Sequence, residues 1–110
     1  MEKFVKGDVV VVPFPFSDLT EAKRRPALVL AELDGEDRIL CQITSQQFMD
    51  RYAVLLKESE FEEGSLRKIS NIRPNRIFTA DSKIILYKAG RINPDKIDEV
   101  LKMVIDILAN

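Results

Sequence analysis

Val9-Val10-Val11-Val12 is an unbroken β-branched run with no polar position to turn toward water, the pattern of a strand covered on both faces. Pro13-Phe14-Pro15-Phe16 follows, and because proline supplies no amide donor the strand is expected to stop there. Ser17 to Lys23 is polar and reads as a surface loop. Apolar positions resume from Ala27 to Leu33 and again from Ile39 to Thr44, separated by the turn-forming Asp34-Gly35-Glu36-Asp37, which predicts two strands joined as a hairpin. The open end of such a hairpin sets the start of one strand beside the finish of the other. Arg25 and Thr44 are therefore expected neighbours.

Beyond the hairpin, Gln46 to Asp50 can form a helical turn, Ala53 to Lys57 a fourth strand, and Glu58 to Gly64 an acidic loop. Leu66 to Ile72 and Ile84 to Lys88 read as further strands, with Arg73-Pro74-Asn75 as a break between them. The chain closes with helical periodicity. Asn93 can cap the helix, Pro94 suits its first turn, and Asp95 favours the positive end of its dipole. Ile97, Val100, Leu101, Val104, Ile105 and Leu108 fall on one face that can cover a sheet, and Met103 and Ile107 widen the stripe toward either extra core or a subunit contact. Many short strands and one helix give a mostly β fold with a helix, a small barrel formed as a single domain over residues 1–110.

Composition narrows the picture little until it is read by position. A chain of 110 residues with a net charge of −1 is not held to a polyanion by bulk charge. Yet between Ser65 and Arg91 seven basic residues stand against Asp81 alone, which is consistent with transient binding of a short nucleic-acid segment. Cys41, the single cysteine, cannot form an internal disulfide or a zinc site and reads as a small buried apolar residue. Val9 to Phe16 is too short to span a membrane and no cleavage site follows it, so the expected location is the cytoplasm with no membrane contact. Small size makes self-association plausible.

The chemistry follows from Gly7-Asp8-Val9-Val10, Arg25-Pro26-Ala27-Leu28-Val29-Leu30 and Gln42-Ile43-Thr44-Ser45, in a chain without histidine. Cleaving RNA by attack of the 2′-hydroxyl on phosphorus requires charge stabilisation and proton movement, which histidine usually supplies. Here a guanidinium, whose forked donors match phosphate, and a short hydroxyl are what the motif strands offer. The same strands contribute no paired carboxylates, so neither a metal nor any other cofactor is expected.

In order and spacing these pieces, with Ser65-Leu66, Asn71-Ile72-Arg73-Pro74, Arg76-Ile77-Phe78-Thr79 and the last helix, resemble the MazF/PemK family of toxin–antitoxin ribonucleases. The resemblance covers nearly the whole chain. It implies an SH3-like small barrel of the MazF/PemK/CcdB kind with a C-terminal helix, acting as a homodimer. It also implies metal-independent, sequence-selective cleavage of single-stranded RNA to 2′,3′-cyclic phosphate and 5′-hydroxyl ends, with Arg25 and Thr44 in the catalytic positions. In that family the arginine is given an acid/base role. A guanidinium holds its proton too tightly for full transfer to be favourable, so Arg25 is assigned chiefly to stabilising the phosphorane, and Thr44 to holding the phosphate in line. Lys23, Arg24, Ser45, Gln46, Arg73 and Arg76 are candidate RNA contacts, and Phe14, Phe16 and Phe48 are either base-stacking or core residues. The implied partner is a cognate antitoxin whose acidic disordered tail competes for the basic surface. Two other readings are a non-catalytic CcdB-like toxin that binds a protein such as gyrase, and an RNA-binding barrel that does not cleave. The Arg-Pro and Ile-Thr pair points away from the first of these.

Overall fold

In a computed structural model, residues 3–15, 22–46 and 50–110 are described, and they build one antiparallel sheet with a helix laid on it. The strands are β1 (Asp8–Pro15), β2 (Ala22–Glu32), β3 (Asp37–Thr44), β4 (Val54–Leu56), β5 (Phe61–Gly64), β6 (Ser70–Asp81) and β7 (Tyr87–Ile92), followed by α1 (Pro94–Ala109). They lie in the order β4-β6-β3-β2-β1-β7-β5 and curl into a half-barrel, the small barrel expected from the sequence.

The sheet is covered on both faces, and β1 shows why. Its alternating side chains feed two separate clusters, Val9 joining Leu28, Cys41, Ile43, Ile72 and Val100 beneath the helix, and Val10 and Val12 joining Ala27, Val29 and Leu40 on the other side. No position in the run is left for water, so the sequence is apolar throughout. Burial also pushes the Cys41 thiol up to about 12, leaving it as inert core.

Several boundaries differ from the sequence expectation. β1 does not stop at Pro13; it stays paired with β2 through Pro15↔Ala22. The reason is that β7 pairs with β1 only as far as Val11, so Pro13 and Pro15 lie where β1 has become an edge and a missing donor is tolerated. β2 accordingly begins at Ala22, which draws Ala22 and Lys23 out of the expected loop; the rest of that loop, and Phe16, lie outside the described residues. Most of the expected helical turn after Gln46, including Phe48, does so too.

The expected break at Arg73-Pro74-Asn75 is instead a bulge inside one long strand. β6 pairs Arg73 with Gln42 and Ile77 with Cys41, so Pro74, Asn75 and Arg76 are the residues left over and the ladder resumes beyond them. Leu66 to Ile69 precede this strand rather than starting it. The acidic loop is a 3-10 turn at Glu58–Glu60 leading into β5, an edge strand whose glutamates keep it from pairing further. Gly64 and Gly90 pass so closely that a Cβ on Gly64 would strike the Ala89 carbonyl, and Gly64 itself has φ 69°. The strand expected over Ile84–Lys88 starts three residues later, at Tyr87, after a second 3-10 turn.

α1 is capped as expected, Asn93 Oδ1 accepting the Lys96 amide at 2.8 Å with Pro94 in the first turn. Ile97, Val100, Leu101, Met103 and Val104 pack on the sheet, so Met103 is core. Ile105 and Leu108 are not on that face; they stand 61% and 74% exposed. The Lys96 ammonium is nearly buried and bonds Glu60 at 2.8 Å, Glu99 at 2.9 Å and the Leu55 carbonyl at 3.1 Å, tying the helix start to β4 and the 3-10 turn. Among the described residues no helix is long and apolar enough to cross a membrane.

Candidate active site

The open end of the β2–β3 hairpin carries the candidate site. Their ladder pairs Leu28 with Cys41 and ends at Ala27 with Gln42, and beyond that pair Arg25 and Thr44 both line one cleft. On its other edge Arg25 pairs with Val12 of β1. It is thus a half-buried residue within a strand rather than one in a loop before it.

Alternation sorts the neighbouring residues. Directly paired residues share a face, so Arg25 lies on the Val12 and Ala27 side, where Lys23 stands exposed opposite Phe14. Arg24, one step along, alternates to the side of Pro26 and Val11. The end of the hairpin therefore carries an arginine on each side of the sheet.

A cleft of about 290 Å³ lies around this end. Arg24, Arg25, Thr44 and Ser45 line it, above a floor of Val11, Pro26 and Ile43. Its remaining wall comes from Leu66, Lys68, Ser70 and Tyr87, which the sequence analysis did not select. Only the register Val11↔Tyr87 brings Tyr87 here, and the nearest signal in the sequence was an aromatic residue opening an otherwise aliphatic strand. Among the described residues the lining contains three cationic side chains and no carboxylate.

Thr44 is oriented by its own turn. Its hydroxyl oxygen accepts the Gln46 amide at 3.1 Å, which leaves the hydroxyl proton to be donated elsewhere. Asn71 Nδ2 donates to the Gln46 carbonyl at 3.2 Å, and Asp50, where the described chain resumes, accepts from Arg73 at 3.2 Å and from Asn75 at 3.4 Å. Three alternate residues of β6 thus hold both ends of the segment after Thr44. The Tyr52 amide, with Arg73 beside it, keeps the Asp50 carboxyl below the usual aspartate range.

The remaining candidates are dispersed. Arg73 is engaged with Asp50, its side chain only 13% exposed, and Arg76 stands exposed in the β6 bulge; neither lines the cleft. Gln46 serves the Thr44 turn through its backbone. Lys88 and Arg91, counted in the basic stretch, are spent on Asp8 and Glu63 at 3.0–3.6 Å. The expected basic face is therefore narrower than the sequence count, because folding pairs part of it. Phe14 packs edge-on to Phe78, ring centres 5.0 Å apart, beside the second core cluster, as a core residue rather than a base platform.

A family model described as PemK-like, MazF-like toxin of type II toxin–antitoxin system matches residues 5–108. No protein of curated function matches the chain by sequence. Among solved structures, MazF from Deinococcus radiodurans is similar over 100% of both chains, with TM-score 0.79 and 19% identity. A MazE–MazF complex from the same organism gives 0.80 and 18% over 98% of each chain. An endoribonuclease in complex with its cognate antitoxin from a mycobacterial species gives 0.77 and 12%, over 96% of this chain and 95% of that one. At these identities the likeness is one of fold.

Proposed function

We propose that this chain, which belongs to the PemK-like, MazF-like toxin family of type II toxin–antitoxin systems, is a metal-independent endoribonuclease that cuts single-stranded RNA at selected sequences. Acting in the cytoplasm on messenger RNA, it stops translation and growth. The observation that supports this reading is that Arg25 and Thr44 line one cleft whose described residues are cationic, hydroxyl-bearing and apolar.

In the proposed reaction the 2′-hydroxyl attacks phosphorus in line as its proton passes to water, the bond to the 5′-oxygen breaks with that oxygen gaining a proton from water, and the products carry a 2′,3′-cyclic phosphate and a 5′-hydroxyl. Thr44, its oxygen already accepting from Gln46, donates its proton to a non-bridging phosphate oxygen and fixes the line of attack. Arg25 offers forked donors to the phosphorane, where charge builds up, and partial proton donation to the leaving oxygen. Arg24, Ser45 and Lys68 hold the flanking backbone. An antitoxin with an acidic disordered tail inhibits by occupying the same cationic cleft, and the enzyme works as a homodimer.

Incubating the purified protein with a long RNA and mapping the cut ends tests this directly. Internal cuts with cyclic-phosphate and 5′-hydroxyl termini are expected; intact RNA at high enzyme concentration would refute the proposal.

A further inference from the structure

Tyr87 is a large aromatic ring, 50% exposed, that the core does not use. It opens β7 and pairs with Val11, which in turn pairs with Pro26, so the three form one row across three strands on a single face. Adjacent strands are about 4.8 Å apart, which puts Tyr87 roughly 10 Å across the sheet from the residue next to Arg25. All three line the cleft, together with Leu66 from the loop after β5 and the cationic Lys68.

That loop is held in shape. Ser65 Oγ donates to Glu58 at 2.6 Å and accepts the Arg67 amide at 2.7 Å, and Arg67 takes the left-handed conformation, φ 60°. A half-exposed ring beside an apolar floor, with an ammonium near it and a fixed aliphatic residue in the same wall, has the composition of a site that takes an unstacked base and its phosphate.

Resting on the nuclease reading above, we infer that the cleft is a base-stacking subsite: an unpaired nucleobase next to the scissile phosphate stacks on Tyr87, with Leu66 packing the base and Lys68 holding its phosphate. The subsite shares its cleft with Arg25 and Thr44, which line it as well. Such an unstacked base is offered by single-stranded RNA and not by a duplex.

The test uses an oligoribonucleotide of a cleaved sequence, made uncuttable by 2′-O-methylation at the scissile ribose, and a set of probes in which each base in turn is removed. Tyr87→Ala is expected to weaken binding of the intact probe on the order of ten- to a hundredfold, the range of one base–aromatic stack. Tyr87→Phe, which keeps the ring, should retain the affinity. One abasic probe should lose the difference between wild type and Tyr87→Ala, identifying the stacked base. If Tyr87→Ala binds every probe as wild type does while long RNA is still cut, the subsite is wrong and the nuclease reading stands. If the wild-type protein neither cuts RNA nor binds the probe but does bind an acidic peptide, both fall.

Discussion

The guanidinium of Arg73 lies 3.2 Å from the carboxylate of Asp50, joining β6 to the far end of the segment that follows Thr44. Asn71, two residues back in β6, holds the near end through Gln46. The pair is nearly out of water, 13% and 14% exposed, so the arginine is a brace for the site rather than one of its phosphate contacts.

Removing either side of that brace should cost about 1.5–3 kcal/mol, as expected of hydrogen bonds to charged groups. Arg73→Ala and Asp50→Ala should each destabilise, and the double variant by less than their sum. Denaturant unfolding of the four proteins measures the coupling; strict additivity would show that the two do not act together. Cleavage should fall in all three variants through kcat, because Thr44 loses its support.

Arg25→Ala should lower the cleavage rate on the order of a hundredfold or more, the effect of removing one donor aimed at developing charge, about 3–4 kcal/mol. Arg25→Lys should rescue little, since a point charge does not replace a planar fork. Thr44→Ala should slow cleavage while leaving RNA binding largely intact. Wild-type rates and growth arrest in both alanine variants would place the chemistry elsewhere.

Chelation should leave the rate unchanged. Among the described residues the cleft lining supplies guanidinium, ammonium and hydroxyl groups and no carboxylate to hold a divalent ion. Activity lost in EDTA and restored by magnesium would overturn the mechanism.

Stability should fall at both ends of the pH scale through Lys96. Burial disfavours its charge, but Glu60 and Glu99 more than offset this and hold it above its ordinary 10.5. The stability that this raised value confers is present below the ordinary lysine value and is lost as pH rises through the folded one. Glu60, held below its ordinary 4.5 by Lys96 against its own desolvation, has the opposite sign. Its contribution is present above 4.5 and is lost as pH falls through the folded value. Thermal melts of Lys96→Met should show a lower midpoint at neutrality and shallower limbs at both extremes; an unchanged profile would remove the triad from the account.

Ile105 and Leu108 project from α1 into water, an arrangement expected of a helix that meets a second copy. Sedimentation should show a dimer at micromolar concentration and a monomer after Ile105→Lys with Leu108→Glu. A wild-type monomer would refute the association, and a dimeric double variant would move the interface to another face.

What the sequence determined by itself was set by local rules. Four valines in a row require cover on both faces, an Asp-Gly turn requires a hairpin, and the hairpin fixes which ends of its strands meet. Arg25 and Thr44 were legible for that reason, as were the Asn93 cap and the burial of Cys41. The tertiary structure decided what depends on partners distant in the chain. The pairing of β1 with β7 stops at Val11, which lets two prolines stay in a strand; β6 crosses Pro74 because its ladder with β3 closes on both sides of the bulge. It also decided which cations remain available, since Asp50 engages Arg73 and Asp8 engages Arg91 across 23 and 83 residues. The same pairing of β1 with β7 brought Tyr87 to the cleft. Strand register and charge pairing are long-range interactions, and no window of the sequence contains both of their members.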